Sequence, residues 1–273
     1  MEIKRVWAVY WSAVGGTQSA VVSAASAAAE VLGLSVKEFD FTLPAARQNV
    51  TEFEATDLVF FATPTYAGKT PNKILPWLQS GFNGNGALAA AVVTFGNRSY
   101  DNSLAELCAT LEADGFHTVA GAAFAVRHVF SDTLGDGRPD ADDRAAIRAF
   151  GADTARKAAA LTEIPAPIAV SGDAAAPYYV PKGVDGLPAK FLPAKPVTDT
   201  DKCVGCGLCA AVCPVGSINP ENVTETPGIY IKCHACVRRC PVGAKSFDDA
   251  AFLSHKAMLE QNFQRRAENA VFL

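Results

Sequence analysis

Val6-Trp7-Ala8-Val9-Tyr10-Trp11-Ser12-Ala13-Val14-Gly15-Gly16-Thr17 opens on an apolar run and crosses a Gly-Gly turn. It then enters an Ala-rich stretch with helical spacing, residues 17–32, which ends before Gly33. Strand, glycine turn and helix in that order form the first half of a βαβ unit. The alternation continues to residue 161. Residues 35–41 alternate, 58–63 are β-branched and aromatic, and 72–78 can begin a helix. An apolar run at 88–95 precedes a helix at 103–111 that stops near Gly115; 118–126 reads as a fifth strand and 141–161 as a long, charge-faced helix. Strands alternating with helices predict a parallel sheet covered on both faces.

The 273 residues, 49% of them hydrophobic, allow one large domain or two modest ones and exclude wholesale disorder. Lys+Arg 24 against Asp+Glu 28 leaves a net charge of −4, which argues against a nucleic-acid binder. No apolar run reaches the ~18 residues of a membrane span. Met1 runs straight into the first strand without a signal-peptide core, so a cytoplasmic location is expected.

Seven of the eight cysteines lie between positions 203 and 240, which points to metal or redox chemistry. Before them, residues 163–197 carry Pro165, Pro167, Pro177, Pro181, Pro188, Pro193 and Pro196 and read as a semi-extended linker. After them, residues 250–267 read as an amphipathic helix. A shift of 27 residues superposes Cys206 on Cys233, Cys209 on Cys236 and Cys213 on Cys240. The same shift superposes Pro214-Val215-Gly216 on Pro241-Val242-Gly243, so one short unit is duplicated. The first cysteine alone fails, because Cys203 maps onto Tyr230.

Cys203-x2-Cys206-x2-Cys209-x3-Cys213-Pro214 is the bacterial ferredoxin run, in which the fourth cysteine turns towards the other cluster. Cluster one then takes Cys203, Cys206, Cys209 and Cys240, and cluster two takes Cys213, Cys233 and Cys236. Zinc is the alternative metal, but zinc ribbons use two separated cysteine pairs. Tyr230 leaves three outcomes for cluster two: 3Fe–4S, 4Fe–4S with an atypical fourth ligand, or none. Cys108, His117, His128 and His255 have no partners at ligand spacing and read as packing residues. Arg238-Arg239 beside the clusters reads as charge compensation, a docking patch for an acidic partner, or a solvated face.

Ser12 to Thr17 offers hydroxyls and freed amides at a helix N-terminus, a site for a phosphate. A bulky residue at Gly16 would hinder that close approach. Thr63-Pro64-Thr65-Tyr66-Ala67-Gly68 follows the third strand and Thr94-Phe95-Gly96-Asn97-Arg98-Ser99-Tyr100-Asp101 the fourth. Open α/β sheets bind ligands at this edge. A flat ring needs an aromatic such as Tyr66 or Tyr100 to stack on and backbone groups for its polar rim.

The 12–17 loop resembles the flavodoxin phosphate loop, with Val14 where that loop has Thr, and the 63–68 and 94–101 loops resemble the two that enclose the FMN ring. With the cysteine module appended, the chain is similar to the ferredoxin–flavodoxin fusion family of anaerobic bacteria, as are Gly137-Arg138-Pro139-Asp140 and Arg265-Arg266-Ala267-Glu268-Asn269. The resemblance implies an α/β flavodoxin-like, doubly wound five-stranded parallel sheet at 1–162. A two-cluster ferredoxin-like domain follows at 198–249, with a C-terminal helix and tail at 250–273. It also implies FMN, one 4Fe–4S cluster and a second, atypical cluster. The expected function is electron relay between clusters and FMN towards redox partner proteins, with the module docked in cis or across a homodimer. The alternatives are a flavin-dependent reductase of a quinone or nitro compound fed by its own clusters, and a redox sensor.

Overall fold

The computed structural model describes residues 1–273. Five parallel strands, β1 (Arg5–Tyr10), β2 (Val36–Asp40), β3 (Asp57–Pro64), β4 (Leu88–Phe95) and β5 (His117–Ala125), form the main sheet. Their spatial order is β2-β1-β3-β4-β5, which is the flavodoxin-like order with its switch point beside β1. Register is set by apolar runs buried on both faces: Val6 pairs with Leu58, and Phe61 with Ala91. Val6, Ala8 and Tyr10 pack on one face and Val9 and Trp11 on the other, as the period of two demands.

Helices α1 (Gly16–Leu32) and α3 (Ala141–Ala160) cover the first face, and α2 (Ser103–Ala113) belongs to the second. The alanines of α1 let it approach α3 closely. At Gly151 any Cβ would collide with the Ala24 carbonyl. Asp140 caps α3 by accepting from the Asp143 amide at 3.0 Å, and Asp143 returns the bond to the Asp140 amide.

Three features differ from the sequence expectation. A sixth strand, β6 (Ala270–Phe272), adds antiparallel to β5. The last helix, α4 (Ala250–Asn262), stops five residues short of 267. The reason is Asn97, whose amide donates to the carbonyls of Phe263 and Arg265 at 2.7 Å and accepts from Ala267 N at 3.1 Å, drawing that backbone out of the helix. Residues 72–78 yield only one turn, Leu75–Leu78.

The Pro-rich segment is pinned rather than free. Lys69 Nζ donates to the carbonyls of Ala174 and Ala176, Tyr178 Oη donates to Thr70 O, and the Tyr179 amide donates to Ala67 O. The segment is thus a strap over the loop after β3.

Candidate functional site

The carboxyl ends of β1, β3 and β4 carry the three candidate flavin loops to one edge. Gly15 adopts φ +96° as the N-cap of α1, a left-handed conformation that favours glycine. The amides of Ala13, Val14, Gly15, Gly16 and Thr17 donate to no protein group, while Gln18 N on their flank is taken by Ser12 Oγ at 3.1 Å. Consecutive free amides at the start of a long helix are an anion cradle. Thr17 Oγ1 meets Thr94 Oγ1 at 2.7 Å and joins the first loop to the third.

The second loop is a two-residue hairpin. Tyr66 and Lys69 exchange backbone bonds around Ala67 and Gly68, both at positive φ. At Gly68 a side chain would strike Asp101, itself paired with Arg98. Thr65 N donates to Thr94 O at 2.7 Å and Thr65 Oγ1 meets Ser103 Oγ at 2.7 Å. Lys69 forms a buried 2.9 Å pair with Glu106, whose second oxygen accepts from Thr70 N. Pro64 ends β3, Phe95 ends β4 and packs on Tyr100 at 5.6 Å, and Gly96 leaves room for the His128 ring. Asn97 spends its side chain on the C-terminal tail and its backbone amide on Phe95 O, so only its carbonyl remains for a ligand.

These residues fit FMN on the free amides at the phosphate end and on one further observation. The indole N–H of Trp11, fully buried and 5.8 Å from Tyr66 ring to ring, has no protein partner. A buried donor without an acceptor is costly unless a ligand supplies one.

In the cysteine module the repeat is visible as geometry. Ser217 N donates to Cys213 Sγ and Ala244 N to Cys240 Sγ, each at 3.2 Å and 27 positions apart. Gly205 and Gly207 adopt φ +65° and +74°, and their repeat partners Lys232 and His234 keep φ +58° and +59°. Non-glycine residues in that region are uncommon. His234 is held there by its ring, stacked on Phe247 at 4.9 Å and against Phe130 and Phe252.

Cys203, Cys206, Cys209 and Cys240 line one small void, together with Val204, Leu208 and the buried Lys245. A space walled by four sulfurs suits the iron–sulfur group that the cysteine spacing implies. Desolvation raises the Cys240 thiol, but amides of residues 242–245 outweigh it and lower the pKa. Lys245, absent from the sequence reading, donates to Thr198 Oγ1 and Val223 O and puts positive charge beside the void. The second set, Cys213, Cys233 and Cys236, is buried with Tyr230, whose hydroxyl lies 3.1 Å from Cys236 Sγ. Burial pushes the Cys233 thiol up to about 12, so ligation would be needed to hold it as thiolate at neutral pH.

The two sets differ in exposure. Cys206 is exposed, whereas Cys233 and Ala235 belong to the same packed cluster as Trp11, with Tyr66, Tyr100, Val212, Val215 and Ile231 against it. Tyr66 feels Cys233 directly: burial raises its phenol well above the ordinary value, and the thiol adds to the shift.

A family of 4Fe–4S binding domains matches residues 196–219. The chain is a flavodoxin-like unit fused to a ferredoxin-type unit. The strand order makes the first unit flavodoxin-like, and the matched domain makes the second ferredoxin-type. The fusion is similar to pyruvate synthase subunit PorD of Methanothermobacter marburgensis, 43% identical over 51 residues, which are 18% of this chain and 60% of that subunit. Solved structures similar to the fusion include a flavodoxin from the domain Archaea, 14% identical with TM-score 0.41, covering 56% of this chain and 98% of that one. The rubredoxin oxygen:oxidoreductase of Desulfovibrio gigas is 18% identical with TM-score 0.38, over 58% and 37%. No helix of the fusion is long and apolar enough to cross a membrane.

Proposed function

We propose that the fusion is an electron-transfer protein that holds FMN at loops 12–17, 63–68 and 94–101 and iron–sulfur clusters at its seven clustered cysteines, relaying electrons between them. The observation that carries this reading is the packed cluster that Cys233 shares with Trp11, with Tyr66 against it, which brings a proposed cluster ligand into the core beneath a candidate flavin loop. When bound, FMN takes two electrons in single steps and a cluster moves one, so the pair can convert between the two kinds of donor.

Each set of residues has a part in this. The amides of 13–17 hold the phosphate, Tyr66 and Tyr100 flank the ring, and the module and strap exclude water from that edge. Cys203, Cys206, Cys209 and Cys240 hold a 4Fe–4S cluster near the surface; Cys213, Cys233 and Cys236 hold an inner cluster with Tyr230 in the fourth place. The strap and module over the 63–70 loop favour a carrier over a reductase of small acceptors. Likeness to a pyruvate synthase subunit supports a redox enzyme as partner.

The test is rapid mixing of oxidised holoprotein with a protein-sized one-electron reductant. Flavin reduction should be independent of holoprotein concentration under excess reductant and slow strongly in Cys206→Ser. Undiminished flavin reduction in that variant would contradict the relay.

A further inference from the structure

Two arginines bind the module to the flavodoxin-like unit, one on each side of the inner cysteine set. Arg47, in the turn after β2, donates to Phe41 O at 2.9 Å and Thr42 O at 2.7 Å, and its other Nη reaches Pro214 O at 2.6 Å. Pro214 directly follows Cys213. Thr42 in turn accepts the Ser12 amide on its hydroxyl at 2.8 Å, so this clasp leads from the phosphate loop to a cluster ligand.

Arg238 lies between Cys236 and Cys240. Its Nε donates to Val129 O at 2.9 Å, Nη2 to Ser131 O at 2.7 Å and Nη1 to Asp132 Oδ1 at 2.5 Å. All three acceptors belong to the loop after β5, which also sends Phe130 against His234 at 4.8 Å and Phe252 at 5.0 Å. A planar guanidinium with several fixed donors suits such a multi-point grip, which an ammonium could not reproduce. Between the clasps the contact is apolar, through Val212, Val215, Ile231 and Ala235. Apolar contact is non-directional; the forked bonds set the orientation.

We propose that Arg47 and Arg238 are positioning residues that fix the Cys213, Cys233 and Cys236 set against the Tyr66 loop, so that losing them loosens the two units without emptying either cofactor site. The proposal rests on the relay reading for its purpose but not for its geometry. Neither arginine is a ligand candidate, and both grip mainly backbone carbonyls, a contact that persists whichever cofactor is loaded.

The test compares anaerobically purified holoprotein with Arg47→Ala, Arg238→Ala, Arg238→Lys and the double alanine variant. Iron, sulfide and flavin counts are taken beside amide hydrogen exchange and bound-flavin fluorescence. Losing the Arg47 clasp should speed exchange in residues 212–217, and losing the Arg238 clasp in residues 129–132 and 231–239, each about tenfold, the effect of one charged hydrogen-bonded contact. Flavin emission should rise as the quenching clusters move away, with cofactor counts unchanged and Arg238→Lys in between. Asp132→Asn, a change at an exposed position, should give a smaller shift of the same kind. Unchanged exchange and emission in the double variant would overturn the proposal. So would loss of iron in the single variants, which would make the arginines part of cluster assembly. An Arg238→Lys variant equal to the unmodified protein would overturn it too, since charge alone would then suffice. Cofactor counts in the unmodified protein report on the relay reading, and exchange reports on the clasps, so either can fail without the other.

Discussion

The hydroxyl of Tyr230 lies 3.1 Å from Cys236 Sγ, inside the packed group of Cys209, Ile218, Val223 and Cys236. It fills the place that Cys203 takes in the first repeat, and so puts a phenol oxygen in the inner set where the outer set has a cysteine sulfur.

The inner cluster is therefore expected to be the labile one. On brief exposure to air it should lose one iron and give a 3Fe–4S signal by electron paramagnetic resonance, while the outer cluster persists. Tyr230→Cys should abolish that difference. Two equally stable 4Fe–4S clusters in the unmodified protein would count against the assignment.

Gly15 and Gly16 should respond differently. Gly15→Ala forces a side chain into φ +96°, at about 1–2 kcal/mol, and should weaken FMN binding roughly tenfold. At Gly16 a Cβ would meet Val126 at an ordinary 3.6 Å, so alanine is tolerated and only a bulky residue should interfere. Fluorescence titration of the apoprotein with FMN separates the two; equal losses in both alanine variants would contradict the free-amide cradle.

How much of this was legible in the sequence varies with the physics involved. The five parallel strands were, because buried strands read as continuous apolar runs, as in 88–95. The cysteine repeat was legible because ligand spacing is local. The sixth strand was not: Ala270–Phe272 is too short to show a period, and it is placed by a network of distant residues. Arg138 donates to Asp143 and Ala267 O, Arg266 and Asn269 bond Asp143, and Asn269 accepts the Ala125 amide. The two motifs at 137–140 and 265–269 are thus partners that lock the tail. Lys245, Arg47 and the straps on Lys69 were equally hidden, since a lone basic residue carries no signal of partners that lie 22 to 167 positions away.

That network makes a stability prediction. Asp143 is 1% exposed, and Arg138→Ala leaves it with only the partial compensation of Arg266. The expected loss is about 3 kcal/mol, near the lower bound for a broken buried pair, or roughly 6–12 °C in Tm. Hydrogen exchange at 270–272 should rise with it. A Tm within about 2 °C of the parent would show that the tail is held otherwise.

Acid should loosen the contact between the module and the main sheet. Burial lowers the pKa of His128 to about 3, with His255, Arg98 and Arg238 adding to the shift, and lowers that of His255. Both imidazoles are thus neutral when folded, and their contribution is complete above the unfolded value of ~6.5. Below it the unfolded chain takes up protons first, and stability falls by up to about 1.4 kcal/mol per pH unit for each ring. Melting curves from about pH 7.5 to 5 should show this decline, shallower in His128→Gln. An identical slope in that variant would remove His128 from the account.

Whether one chain carries both kinds of redox centre is decided by a count on a single anaerobically purified sample. Flavin released by heat is identified by chromatography, and iron, acid-labile sulfide and zinc are quantified per chain. The expected result is FMN, with iron and sulfide in amounts for two clusters or for one full and one iron-poor cluster, and no stoichiometric zinc. FAD or no flavin after reconstitution, or zinc in place of iron and sulfide, would contradict it.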